Sequence, residues 1–327
     1  MSISEPGRFL HLGQMIVDLT MYVDELPERC GDVFADHATM RAGGGFNVLQ
    51  AVVKMGHSPI FFGALGSGPF ANILRSALDG IEVAAEGPTI SGSDNGYCVA
   101  ITEPGGEHTF ISVSGAEGQM GPDVFAQLPL REHDLVYLGG YSFMSPGTRT
   151  AVERFAAAKA DWTRRGGRVL FDTGPMVADF PQSSLDAMVA LQPIWSVNDA
   201  EARSLATRLG VQAGSEPERA QALAHRLSAP VILRVDSEGA WYSEGSWLSE
   251  GIEPHHVPTL LVDAIDSNGA GDAHSGVLAA ALLEDIPMNK ALLLASCAGA
   301  LSTTMEGPAT CTDRGLIEAA ARGLAEE

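Results

Sequence analysis

The sequence predicts an α/β fold, with a parallel central sheet covered by helices on both faces and a small lid built from β-strands. Three observations carry this. Short apolar runs alternate with longer stretches of helical period, which is the rhythm of strand–helix–strand units. One stretch, residues 97–115, breaks the rhythm and reads as a hairpin. The 327 residues, 45% of them hydrophobic, contain no internal repeat, low-complexity tract or long linker, so residues 1–327 are expected to form one domain.

The elements follow in order. "FLHLGQMIVDLTMYV" (9–23) reads as one strand running into a second. "GFNVLQAVVKMG" (45–56) is helical, with Val48, Ala51, Val52 and Met55 on one face. "PIFFGALG" (59–66) is a strand, and "FANILRSALDG" (70–80) is a helix ending in glycine. "YCVAITEPGGEHTFISVSG" (97–115) holds two β-rich runs around Pro104-Gly105-Gly106. "DLVYLGG", "RVLFDTG", "IWSVN" and "VILRVD" are short buried-type strands, separated by helices at 148–165, 199–209 and 216–228. The segments at about 15–41 and 92–116 are expected to pair as a small antiparallel lid. Open α/β sheets bind ligands at the carboxyl ends of their strands. Asp18, the Gly43 region, Asp172, Asn198 and residues 263–276 should therefore share one cleft, although Asp172 reads more readily as the start of a turn.

Composition excludes several functions. The net charge is −21, from 20 basic against 41 acidic residues, and only Lys54, Lys159 and Lys290 are lysines. Such a surface repels nucleic acid and anionic membranes. No apolar run reaches the roughly 18 residues of a membrane span, and the first residues lack the pattern of a signal peptide, so a cytoplasmic protein is expected. Cys30, Cys98, Cys297 and Cys311 fit no zinc spacing and should be free thiols.

The chemistry concentrates in "DAIDSNGAGDAHSG" (263–276). Its glycine-rich turn feeds a helix in which Ala273, Val277, Ala280 and Ala281 repeat at helical spacing. Unpaired N–H groups at a helix start make an anion site. Asp272, in the first turn, is placed to take a proton from an attacking hydroxyl. Taken alone, the pattern also fits a capping acid after a plain turn. "FFGALGSGPF" lacks the spacing and downstream acid of a dinucleotide fingerprint.

The stretch 263–276 resembles the C-terminal signature of the ribokinase-like (PfkB) carbohydrate kinases, written D-T-x-G-A-G-D-x-F-x-x-G. "RAGGGFNVLQAVVKMG" is similar to their N-terminal Gly-Gly signature, and "SVNDAE" to their N-x-x-E element, in the family's order across residues 9 to 315. The resemblance implies a three-layer α/β/α core and an ATP-dependent kinase for a hydroxyl of a small sugar. It implies Asp272 as base and Gly269, Ala270 and Gly271 as the anion hole. Asp18, Gly43, Gly44 and Asn47 would hold the sugar, although Asn47 also suits a helix cap. Asn198 and Glu201 would organise Mg²⁺ and the ATP phosphates through water, although Glu201 also reads as a solvated first-turn acid. Gly239 and Ser296 would line the nucleotide site, and Asp266 a loop for a monovalent cation such as K⁺.

The sequence departs from the pattern in four places. His274 replaces Phe, Asp236 replaces the first Gly of a G-x-x-G, Gly68 stands where an acid is usual, and Ser296 where Asn is usual. Alternatives are a nucleoside kinase, with Phe46 and Phe110 flanking the base, a phosphosugar kinase using Arg41, and a non-catalytic sugar-binding protein. A homodimer through the edge of the lid is expected.

Overall fold

The computed structural model describes residues 6–104, 108–245 and 253–326. The chain runs through β1 (Phe9–His11), β2 (Met15–Tyr22), β3 (His37–Gly44), α1 (Gly45–Lys54), β4 (Ile60–Phe61), α2 (Pro69–Gly80), β5 (Ala84–Ala85), β6 (Tyr97–Thr102) and β7 (His108–Val113). It continues through β8 (Leu135–Gly139), α3 (Pro146–Arg164), β9 (Arg168–Asp172), α4 (Gln182–Leu191), β10 (Ile194–Asn198), α5 (Asp199–Leu209) and α6 (Glu216–Leu227). It closes with β11 (Val231–Arg234), β12 (Ala240–Ser243), β13 (His255–Val257), α7 (Ala270–Leu283), α8 (Met288–Ser302) and α9 (Arg314–Glu326).

The large sheet has the order β13-β12-β11-β10-β9-β8-β1-β4-β5. It is parallel except where β12 pairs antiparallel with both β11 and β13. Alternation along each strand feeds two cores. Phe9, Leu135 and Leu170 enter one, with Val48, Leu74, Leu278 and Leu292 from the helices. Their neighbours Leu10, Val136 and Phe171 enter the other, with Phe155, Leu185, Leu205 and Leu223. Helices therefore cover both faces, as a parallel sheet requires.

The small sheet has the order β3-β2-β6-β7. Its β2–β3 and β6–β7 pairs are antiparallel, but β2 and β6 run parallel. This corrects the expectation of a purely antiparallel sheet: the two hairpin-like halves come from distant segments and meet edge to edge. Of the expected turn Pro104-Gly105-Gly106, the two glycines lie outside the described residues. The expected strand at 59–66 shrinks to Ile60–Phe61, because beyond Phe61 the glycines Gly63 and Gly66 press on the loop backbones of Gly13 and Ser93 instead of extending the sheet. The β3 strand runs straight into α1 through Gly44, whose φ is 59°.

Candidate active site

Beyond the carboxyl ends of β8 to β11 lies a cavity of about 770 Å³. Asp172 closes β9, Asn198 closes β10 and Arg234 closes β11, and their parallel register brings the three ends side by side. The start of α7 forms the facing wall. Gly269 precedes α7 with φ 79°, and a β-carbon there would lie 1.9 Å from the Pro308 carbonyl oxygen. Only glycine meets both demands. It brings the start of α7, with Ala270 and Gly271 in its first turn, to the cavity wall as an anion-attracting helix end.

Asp272 follows in that turn. Its Oδ2 accepts a hydrogen bond from Asn47 Nδ2 at 2.8 Å. Asn47 is buried on the first turn of α1 and is not its cap, since Gly44 holds that place. The two signatures are thus joined by one bond. Burial pushes the Asp272 carboxyl up to about 7. The Asn47 bond and Arg234 oppose this, while the charges of Asp172 and Asp18 add to it. Asp18 lies in mid-β2, opposite Arg41 on one side and Cys98 on the other, and burial pushes its carboxyl also to about 7. Gly43 makes room for it, because a β-carbon there would sit 1.8 Å from Asp18 Oδ2.

The structure corrects the turn reading of Asp172. Its Oδ2 accepts from Arg234 Nη1 at 3.1 Å and from Ser275 Oγ at 3.0 Å, and it lines the cavity. It faces the cleft because β9 ends there. Glu201 is likewise not a solvated acid: it is 5% exposed. Its Oε2 accepts from the Asn198 backbone at 2.9 Å and from Thr173 at 3.2 Å, and Asn198 Oδ1 accepts from the Glu201 N–H at 2.8 Å. The pair is a reciprocal cap on α5 that also borders the cavity. Burial and the Asp172 charge raise the Glu201 carboxyl, opposed by Arg234.

Gly239 and Ser296 line the same cavity. Ser296 sits on α8, and its carbonyl accepts from Thr259 Oγ1 at 3.0 Å, tying the 259–264 loop to α8. Asp236 keeps a φ of 40°, a conformation that the usual glycine adopts without cost. His274 is buried at the cavity wall with both ring nitrogens unpartnered, and burial, aided by Arg234, lowers it to about 3, so it is neutral. Near Gly68 the missing acid is supplied from elsewhere. Asp94 accepts from the N–H groups of Phe70 at 3.0 Å and Ala71 at 2.8 Å, and a β-carbon on Gly68 would strike its carboxylate.

Asp266 is set apart from the cavity. Its oxygens accept from the backbones of Asn268 at 2.8 Å and Gly307 at 2.9 Å, clamping the loop before α7. Phe46 packs in the core and Phe110 is exposed on β7. The four cysteines are free. Sequence reasoning missed Arg234, whose only signal was a lone basic residue ending an apolar strand. Among the described residues no group of three His, Cys, Asp or Glu is placed to hold a metal, and no helix is long and apolar enough to cross a membrane.

A family model for pfkB family carbohydrate kinases matches residues 8–314. An uncharacterized sugar kinase of Escherichia coli, YegV, is 31% identical over 86% of this chain and 84% of its own length. An ATP-dependent ribose-1-phosphate kinase of Halopiger xanaduensis is 27% identical over 92% and 93%. The structure of Arabidopsis thaliana ribokinase complexed with ribose and ATP superposes with a TM-score of 0.76 at 21% identity, covering 97% of this chain and 99% of that one.

Proposed function

We propose, since this chain belongs to the pfkB family of carbohydrate kinases and is an ATP-dependent sugar kinase, that Asp272 is its catalytic base. The observation that carries this is the Asp272 carboxyl, held near 7 beside the start of α7 and oriented by Asn47. A base matched to neutral pH is the form best able to take a hydroxyl proton. Asp18, with Gly43, Gly44 and Asn47, grips the sugar hydroxyls and presents one to Asp272. That oxygen bonds to the terminal phosphorus of ATP as the bond to ADP breaks, and its proton passes to Asp272. Gly269, Ala270 and Gly271 meet the charge of the group in transit. The small sheet, built from about 15–41 and 92–116 within a single domain 1–327, is the lid that excludes water.

Asn198, Glu201, Gly239 and Ser296 serve the nucleotide. Mg²⁺ fits as a hydrated ion carried by the phosphates, because the carboxylates lining the cavity are not grouped, among the described residues, to hold a metal themselves. When bound it neutralises phosphate charge, and Glu201 would hold its waters. K⁺ fits less directly at Asp266, whose oxygens are taken by backbone N–H groups; carbonyls of that loop would hold it. The preferred substrate is an uncharged sugar. Arg41 of β3 has its Nη1 beside Gly307, where a β-carbon would come within 2.9 Å of it, and burial, not the Arg41 charge, shifts Asp18. Met40, Ile111 and Val113 are exposed on the lid and β3 and β7 are its edges, which favours a homodimer through the lid. We place the enzyme in the cytoplasm, where ATP is supplied.

The test is Asp272→Asn. It should keep the fold and sugar affinity and lose turnover by about 10²–10⁴-fold, the usual worth of a general base. Turnover close to wild type would remove Asp272 from this role.

A further inference from the structure

We infer that Arg234 is a catalytic residue: its guanidinium, fixed against the Gly269–Gly271 turn, is the protein's own positive charge for the phosphoryl group in transit. The inference rests on the site reading given above. The cavity is an unfavourable place for an anion, since Asp172, Glu201 and Asp272 line it and the whole chain carries −21. Among the described lining residues, Arg234 is the one Arg or Lys. A transferred phosphoryl group carries charge on three oxygens, and a local cation must meet it where the overall field repels it.

The position of the guanidinium is what singles it out. Nη1 donates to Asp172 Oδ2 at 3.1 Å and to the Gly271 carbonyl at 3.3 Å. Nη2 lies 3.6 Å from Glu201 Oε2. A β-carbon on Gly271 would fall 2.7 Å from Nη1. The group therefore touches the residue immediately before Asp272, within the turn that receives the phosphoryl oxygens. Its Nε is buried and makes no hydrogen bond. The side chain keeps 14% of its surface exposed where it lines the cavity, which leaves an edge of it for a ligand.

Its holders are themselves held. Ser275 Oγ and the Gly174 N–H bind Asp172, and Thr173 and the Asn198 N–H bind Glu201. Donors fixed in advance stabilise developing charge without reorganising. During transfer Arg234 neither gives nor takes a proton. The substrate oxygen bonds to phosphorus, the bond to ADP breaks, the proton goes to Asp272, and the guanidinium hydrogen bonds shorten toward the phosphoryl oxygens.

A purely structural ion pair would also be buried with two acids, so the test must separate the two roles. Arg234→Met, Arg234→Lys and Asp272→Asn are compared with wild type. Turnover, melting temperature and calorimetric affinities for sugar, ADP and a non-hydrolysable ATP analogue are measured. In Arg234→Met, turnover should fall by about 10²–10³-fold, the usual loss for one preorganised donor, with ADP and sugar affinities within about threefold and the ATP analogue weakened further. Arg234→Lys should recover about tenfold of the loss, since it restores charge but not the fork. Should the Met variant fail to fold, the Lys variant is read against wild type by the same affinities. A turnover loss under about fivefold, or equal weakening of sugar, ADP and ATP analogue, overturns the inference. If Asp272→Asn stays active, the site reading fails and this inference falls with it. If only Asp272→Asn is impaired, the site reading stands and Arg234 alone is wrong.

Discussion

Asp18 and Asp272 are carboxyls that the fold holds near 7, burial being the first cause in each. An unfolded chain releases their protons near 3.8, so between about pH 4 and 7 the folded state binds more protons than the unfolded one. Stability then falls as pH rises through that window, because the charged forms are disfavoured in the native site. Asp18→Asn and Asp272→Asn should each raise unfolding stability at pH 8 by about 1–3 kcal/mol, a shift discounted for partial solvent screening. The gain should shrink as pH approaches 4. Denaturant unfolding at several pH values measures it, and a gain that is equal at pH 4 and 8 would contradict the titration account. The same carboxyl sets the rate. For the free enzyme, kcat/KM should rise with pH through about 7 as Asp272 loses its proton. The site trades stability for a base of the right strength.

At the scale of elements, α7 carries most of the chemistry and tolerates the least change. Gly269→Ala should cost about 1–3 kcal/mol from strain at positive φ, more if Pro308 cannot move. It should also lower turnover, because the turn that aims Ala270 and Gly271 would shift. A variant with unchanged unfolding and kinetics would show that the turn yields freely. Elements with strong local signals were legible: α1 and α7 announce themselves by glycine and helical spacing, and β8 to β11 by short apolar runs. The helix α8 was missed because "MNKALLLASCAGALS" is apolar on nearly every side and shows no stripe. Strand β5 is two residues long, below what periodicity resolves, and β4 was read too long because its apolar run continues past Phe61. The site divided in the same way. Asp272 and Asn47 lie in dense motifs, whereas Asp172 and Arg234 are each one ordinary residue ending a strand. Only the register of Asp172 beside Ser196, and of Asn198 beside Arg234, reveals that they face one another.

At the scale of the whole molecule, an acidic chain whose lid arginine, Arg41, lies beside Gly307 should favour a free sugar over its monophosphate. Matched pairs assayed at equal concentration with saturating MgATP should show that preference. A preference for the phosphorylated member that disappears in Arg41→Ala would move the enzyme to the phosphosugar kinases. The bond between Asn47 and Asp272 spans 225 positions, and α1 and α7 pack so closely that Gly276 leaves no room for a β-carbon beside Ala51. Helix α1 also receives its last partners late: Gln50 binds the Cys311 carbonyl, and Lys54 binds Asp313. At roughly 5–20 residues per second on the ribosome, α1 must wait about 10–50 seconds for these partners to be made. Throughout that interval the newborn chain keeps an apolar helix face uncovered and has no working site. Ribosome-stalled or prematurely ended chains should therefore be inert toward ATP and sugar, and prone to capture by chaperones.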